Sequence, residues 1–311
     1  MAKFLITGGA GFIGSNIARK VVSDGGEVVI LDDFSTGYES NLEDIKSDVT
    51  VIKGDICSMD TVKKAMQGVD YVHHHAAVVS VVRSVDDPVR TSEVNIDGTL
   101  NLLVAARDAG VKRFVFAGSS SAYGDNPTLP KREDMKAEPL SPYAVSKLTS
   151  EMYVKVFNDV YGLQAVTLRY FNIFGPYQDP TSQYSAVIPI FIKRLARGES
   201  PVVYGDGEQS RDFTYIDNVV QANLLAATAE GAPGKVFNVA CGDRFTLNDL
   251  LKRLHGLVGN STEATYEAAR AGDVKHSLGD ISQAREILGY EPLVTFEEGL
   301  KKTVDWFLPK A

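Results

Sequence analysis

Cysteine is scarce in this chain: Cys57 and Cys241 are the only two in 311 residues. They lie far apart and outside any metal-ligand spacing, which excludes a disulfide framework and a zinc cluster as organising features. Both read as small buried apolar residues, as expected in a reducing cytoplasm. Long apolar runs are missing too. Phe4-Leu5-Ile6 passes straight into a glycine-rich turn, too short for a signal peptide or a membrane span. Positive charge is in deficit, with 32 Lys and Arg against 40 Asp and Glu, a net charge of -8. That argues against DNA or RNA as a partner. It leaves room for an anionic small substrate held by a few arginines. No low-complexity tract or solenoid-length repeat is present.

What is present is enough apolar sequence, 44% of the residues, for a large core. In the first half, short β-branched and aromatic runs alternate with amphipathic stretches. Phe4–Thr7, Val28–Leu31, Val49–Ile52, Tyr71–His74, Phe114–Ala117 and Ala165–Leu168 read as strands covered on both faces. Helical patterns lie near 12–23, 58–67, 88–109 and 142–161, with Pro88 and Pro142 at first-turn positions. This alternation predicts an α/β fold with a doubly wound parallel sheet. After residue 169 Gly, Pro, Asp and Tyr become frequent. Short helices are predicted near 184–198, 217–230, 246–258, 282–289 and 296–308, with one more strand at Val236–Val239. A smaller mixed lobe, packed tightly on the sheet, is expected there.

Gly8, Gly11 and Gly14 follow the first strand and open the first helix. Glycines there permit a tight turn, close approach of backbone to a pyrophosphate, and close helix–strand packing. The helix N-terminus offers free N–H groups to the phosphates. The fold is therefore expected to be Rossmann-type. The second strand ends in Asp32-Asp33, where an acid bonds ribose hydroxyls and repels a 2′-phosphate, so the cofactor is predicted to be NAD. Asp55 ends the third strand, near an adenine edge, and the small residues of His75-Ala76-Ala77 end the fourth. The run His73-His74-His75 points alternately to opposite faces of a strand, so no metal site is expected.

Tyr143 and Lys147 lie four apart at the start of a helical pattern, on one face. A free tyrosine titrates near a pKa of about 10. A neighbouring ammonium and a positive nicotinamide ring favour its phenolate. Ser119-Ser120-Ser121 ends the preceding strand, where strand C-termini face the cofactor crevice.

With these motifs the sequence resembles the extended short-chain dehydrogenase/reductases and, within them, the UDP-hexose 4-epimerases. The resemblance spans nearly the whole chain. It rests on Thr7-Gly8-Gly9-Ala10-Gly11-Phe12-Ile13-Gly14, the serine strand end, Tyr143-x-x-x-Lys147, Arg169-Tyr170-Phe171-Asn172, Arg211-Asp212-Phe213 and Arg270-Ala271-Gly272-Asp273. It implies catalysis by Ser119, Tyr143 and Lys147, and further cofactor contacts at Phe12, Ile13, Ile56, Asn95 and Tyr170. It implies that Tyr143 takes the proton of the sugar 4-hydroxyl while the hydride at C4 passes to NAD and returns to the other face of a 4-keto sugar. The substrate it implies is a UDP-sugar. Ser120 and Ser121 would line the sugar pocket, and Arg211 and Arg270 would hold the diphosphate. Asn172 would meet the phosphate and sugar, Tyr204 and Val187 the uracil, and Asp273 the ribose. Ser277 stands at a gatekeeper position where a tyrosine restricts the family to glucose and galactose. A serine there implies acceptance of N-acetylated sugars. Val79 replaces a lysine that glucose-specific relatives carry near the cofactor. Residues 1–168, with a returning segment near 213–240, are expected to form the NAD-binding domain and 169–311 the UDP-sugar lobe. The helices near 88–109 and 142–161 are expected to join two subunits in a homodimer.

Neighbouring chemistries make different demands. A 4,6-dehydratase needs an Asp-Glu pair where Ser120-Ser121 stand, and a UDP-glucuronate decarboxylase needs a Glu near position 121. A UDP-glucuronate 4-epimerase shares the serine-rich strand end and stays open. A non-catalytic NAD-sensing module usually loses the Tyr or the Lys, and both are here.

Overall fold

A computed structural model describes residues 1–179, 187–269 and 274–308. Its central element is a seven-stranded parallel sheet. It comprises β1 (Lys3–Thr7), β2 (Glu27–Asp32), β3 (Val49–Lys53), β4 (Tyr71–His74), β5 (Arg113–Ser119), β6 (Ala165–Tyr170) and, after four short strands, β11 (Val236–Val239). Those four are β7 (Asn172–Phe174), β8 (Val202–Tyr204), β9 (Ser210–Arg211) and β10 (Phe213–Tyr215). Two more follow, β12 (Phe245–Thr246) and β13 (Thr265–Glu267). The order in the large sheet is β3-β2-β1-β4-β5-β6-β11. The chain winds outward one way from β1 and the other way from β4. A crevice therefore opens at the C-terminal ends of β1 and β4, where a doubly wound sheet binds its ligand.

Side chains alternate across the sheet, as the pleat requires. Leu5, Val29, Val72, Phe114 and Phe116 form one core with Leu102, Leu103, Val154 and Phe157. These last come from α5 (Gly98–Asp108) and α6 (Pro142–Tyr161), which cover that face with α2 (Met59–Ala65). Ile6, Val28, Ile30, Val115 and Val166 point the other way, onto Ile17 of α1 (Phe12–Ser23) and Val219 of α8 (Ile216–Thr228). This second core runs on without a break into the C-terminal lobe, through Phe191 of α7 (Val187–Ala196), Leu250 and Leu254 of α9 (Leu247–Val258) and Leu300 of α10 (Phe296–Phe307).

The stretch read as one helix over 88–109 is helical throughout but irregular. α4 (Pro88–Ser92) passes into α5 through a π turn at Glu93–Asp97. A short α3 (Val81–Asp86) and a 3₁₀ segment (Glu39–Ile45) were not expected, because neither is long enough to display a helical period. Pro88 and Pro142 do occupy first-turn positions, and Ser141 caps α6 through the Ala144 N–H. Cys57 and Cys241 are free and partly buried rather than fully buried. Among the described residues no helix is long and apolar enough to cross a membrane, and no group of three or more His, Cys, Asp or Glu could hold a metal ion.

Candidate active site

The glycine turn is dictated by steric contact. Gly8 has φ +67°, and a Cβ there would lie 2.7 Å from the Ala76 nitrogen. A Cβ on Gly14 would lie 2.3 Å from the Gly8 carbonyl oxygen. Backbone packs on backbone at both points, so only glycine fits. Gly11 is the N-cap of α1 and brings no side chain to its first N–H groups, which stay open to an anion. Asp32 at the end of β2 is buried and fixed through both oxygens, accepting from the N–H of Ala10 and of Phe34 at 2.8 Å each. Burial pushes its carboxyl up, while those two N–H groups pull it back. Asp33 instead closes its own turn, accepting from the Ser35 N–H and hydroxyl. Asp55 accepts from the Cys57 N–H at 2.8 Å and from Arg90 at 2.7 Å. Burial opposes ionisation of its carboxyl, but the Arg90 hydrogen bond and the N–H hold it below the ordinary range.

One cleft of about 810 Å³ runs from Asp32 and Asp55 past the glycine turn to Ser119, Tyr143 and Lys147. Phe12, Ile13, Ile56, Tyr170 and the run His75-Ala76-Ala77 also line it. The histidines alternate as the strand demands. His74 points one way, its two ring nitrogens 2.7 Å from the Thr7 hydroxyl and 2.8 Å from the Thr99 hydroxyl. His73 packs on Phe4 on the other face, and His75 stacks parallel on Tyr170. Burial depresses all three, His73 to about 4, so they are neutral. Asn95 does not line the cleft. It lies one layer behind, in the π turn, where its amide bonds both backbone groups of Val78 and the Ser146 hydroxyl. The cleft wall at Val78 is thereby fastened to α6.

α6 begins at Pro142, so Tyr143 occupies its first turn and Lys147 lies one turn further on. Burial pushes the Tyr143 phenol up, and a hydrogen bond from Ser119 opposes this. Lys147 is 5% exposed, and its Nζ donates to the Ala117 carbonyl at 2.9 Å. Among the described residues no carboxylate pairs with it. Burial lowers its pKa from 10.5 to about 8. Between these values the unfolded chain holds a proton that the folded chain has shed, so stability rises with pH across that window. Below about pH 8 the buried cation costs stability in full. Lys147→Met is therefore expected to raise the melting temperature of the cofactor-free protein at pH 7, with the gap closing by pH 10. Thermal melts at the two pH values check this, and a gap that widens contradicts it.

The profile of the NAD dependent epimerase/dehydratase family matches residues 4–240. The chain belongs to this family. Similarity extends over its full length. The UDP-glucose 4-epimerase of Mycolicibacterium smegmatis is 38% identical over 311 residues, 99% of each chain. The structure of a UDP-glucose 4-epimerase with UDP-glucose from Thermotoga maritima matches with a TM-score of 0.94 and 40% identity, covering 98% of each chain. That of a UDP-N-acetylglucosamine 4-epimerase from Methanobrevibacter ruminantium in complex with UDP-N-acetylmuramic acid matches with a TM-score of 0.94 and 42% identity. It covers 99% of this chain and 98% of the other. As an NAD-dependent epimerase/dehydratase the chain is an enzyme, and NAD is its cofactor. The residues present fit NAD: a glycine cradle with no room for a Cβ, an open helix N-terminus and a fixed ribose-end acid.

Within this epimerase/dehydratase fold the residues expected to meet substrate come from separate elements. Ser120 and Ser121 lie in a 3₁₀ turn (Ser120–Tyr123) capped by Ser119. Asn172 is on β7, and its amide donates to the Ser277 hydroxyl at 2.9 Å. Arg211, on β9, donates to the carbonyls of Ser210 and Lys275. Its neighbour Asp212 is fully buried and accepts from the N–H groups of Cys241, Gly242 and Gly279, which ties β9 and β10 to the end of β11. Burial raises that carboxyl to about 6. Tyr204 ends β8 and Val187 begins α7. None of these seven expected substrate residues lines the cofactor cleft, although Phe171 and Ile173, on either side of Asn172, do. Arg270 and Asp273 lie outside the described residues.

Tyr38, Gln178 and Asp179 are among the cleft residues that escaped sequence reasoning as cofactor neighbours. The Tyr38 hydroxyl donates to Asp179 at 2.8 Å, joining positions 141 apart in sequence. Tyr177 beside them has φ +69° and lies under the Arg19 guanidinium, 3.7 Å from its ring centre. The only signal available was the Gln178-Asp179-Pro180 run, which carries no local chemistry of its own.

Proposed function

We propose that this enzyme interconverts UDP-hexoses that differ in configuration at C4, acting on UDP-glucose and UDP-galactose and on their 2-acetamido counterparts. The observation that carries the reading is the grouping of Ser119, Tyr143 and Lys147 at one end of the dinucleotide cleft, with serines at 120 and 121 in place of acids. NAD, when bound, supplies reversible two-electron chemistry at C4 through a 4-keto sugar. Tyr143 takes the proton of the 4-hydroxyl and later returns it to the oxygen. Lys147 provides the nearby positive charge that lowers the energy of the phenolate, and the Ser119 hydroxyl donates to it.

On this reading Arg211 and Arg270 hold the diphosphate, Tyr204 and Val187 frame the uracil, Asp273 meets the ribose, and Asn172 and Ser120 face the sugar. Residues 1–168 with the segment near 213–240 serve the cofactor, and 169–311 serve the UDP-sugar. A homodimer is part of the proposal, with the cytoplasm as its location. Val145, Met152, Val156 and Val160 of α6 are exposed, as are Val81, Val82 and Val85 of α3 and Val89 of α4, which leaves an apolar face without a partner in one chain. α5 contributes less to that face than the sequence implied, since its Leu100 and Val104 are half-buried.

The test is a side-by-side assay of the purified enzyme with UDP-glucose, UDP-N-acetylglucosamine and UDP-glucuronate. Turnover of the first two supports the proposal, and turnover of UDP-glucuronate alone replaces it with the acid-sugar reading. Ser277→Tyr is expected to lower turnover of the acetamido sugar at least about tenfold while sparing UDP-glucose, the scale of a steric mismatch in a pocket. Ser277→Ala, which breaks the Asn172 hydrogen bond without adding bulk, separates the two effects.

A further inference from the structure

Ser119 presents its oxygen to two groups of Ser121, and the count of protons and lone pairs decides what it does. A serine hydroxyl has one proton and two acceptor positions. The Ser121 N–H donates to Ser119 Oγ at 3.2 Å, which fills one position. The Ser121 hydroxyl lies 2.8 Å from the same oxygen. When Ser121 donates, the second position is filled, and the single Ser119 proton is left to point into the cleft that Ser119 lines together with Tyr143. When the pair is reversed, Ser119 spends its proton on Ser121 and turns a lone pair toward the phenolate.

We infer that Ser121 is a positioning residue: its hydroxyl holds the Ser119 proton on Tyr143. The inference rests on the reading of Tyr143 as the base. It differs from the sugar-pocket role that resemblance implies for Ser121. The turn that carries Ser121 is built to hold it still. Tyr123 at its end is fully buried, its hydroxyl donates to Asn238 at 2.6 Å, and Arg169 lies 4.7 Å over its ring. The Ala122 carbonyl accepts from the Glu138 N–H at 2.9 Å. The C-terminal side of the turn is thus pinned to other elements, and the Ser121 hydroxyl is offered to Ser119 from a fixed direction.

The experiment uses the enzyme with NAD bound and follows the phenolate absorbance of Tyr143, isolated by subtracting the Tyr143→Phe protein. Ser121→Ala is expected to move the titration midpoint upward by about one pH unit, the scale of one hydrogen bond to a charged oxygen. Below that midpoint kcat should fall about tenfold, with KM for the UDP-sugar little changed. Ser121→Thr, which keeps the hydroxyl, should restore both. Because Ser121 acts through Ser119, the double variant Ser119→Ala/Ser121→Ala should shift the midpoint no further than Ser119→Ala alone. A raised KM with unmoved kcat and midpoint, or additive shifts, would overturn the inference and return Ser121 to a sugar contact. Turnover that survives in Tyr143→Phe would instead remove the mechanism proposed above, and the absorbance titration would still report on Ser121 independently.

Discussion

Tyr143→Phe is expected to lower turnover of the UDP-sugar by a factor of about a hundred to ten thousand, the range for loss of a positioned acid-base group. The substitution removes one oxygen at the first turn of α6. Burial already works against that oxygen's ionisation, and Ser119 opposes this; on the proposed reading Lys147 and the bound cofactor add their positive charge. Without the hydroxyl nothing nearby can replace it. The cleft histidine, His75, is neutral, and Lys147 already donates to the Ala117 carbonyl. Binding should survive, because the ring remains and the glycine cradle and Asp32 lie elsewhere in the cleft. Initial rates and direct titration of NAD and UDP-sugar check both halves. A variant with intact turnover sinks the proposed mechanism, and one that no longer binds NAD shows that Tyr143 shapes the cleft.

The largest stability effect should come from Glu151 and Arg169. Their side chains are 9% and 5% exposed, and they meet through two hydrogen bonds, at 2.9 and 2.5 Å. Glu151 lies one turn beyond Lys147 on α6. Arg169 is on β6, paired in register with Gly118 of β5, and its guanidinium covers Tyr123. The pair therefore joins the helix of Tyr143 to the strand end of Ser119. Glu151→Ala should cost about 3–5 kcal/mol, because it leaves a buried cation uncompensated. Arg169→Met should cost a similar amount by stranding the carboxylate. The double variant Glu151→Leu/Arg169→Met removes both charges and should recover most of the loss. Denaturant unfolding of the three proteins is the measurement. A double variant as unstable as the sum of the singles would contradict the account.

All seven strands of the large sheet are legible in the sequence to within one or two residues at their ends, because a strand covered on both faces must be apolar almost continuously. The short strands β7, β8, β9, β10, β12 and β13 are not. Each spans two or three residues and exists only through its partner in another part of the chain. The π turn at Glu93–Asp97 is hidden for a different reason. It leaves the helical pattern nearly intact, and what holds it is tertiary, since the Asn95 carbonyl accepts from the Ser150 and Thr99 hydroxyls.

The dinucleotide cleft and the Tyr143–Lys147 pair that mark this enzyme are local features. A glycine turn between strand and helix, an acid at a strand end and a spacing of four on one helix are each written in a few consecutive residues, so the sequence alone determines them. The pairing of Asn172 with Ser277, the Tyr38–Asp179 contact and the stacking of His75 on Tyr170 join residues 105, 141 and 95 positions apart. No local pattern encodes such contacts. They exist because the sheet order β3-β2-β1-β4-β5-β6-β11 brings distant strand ends to one edge, and that order is settled by packing of the whole chain.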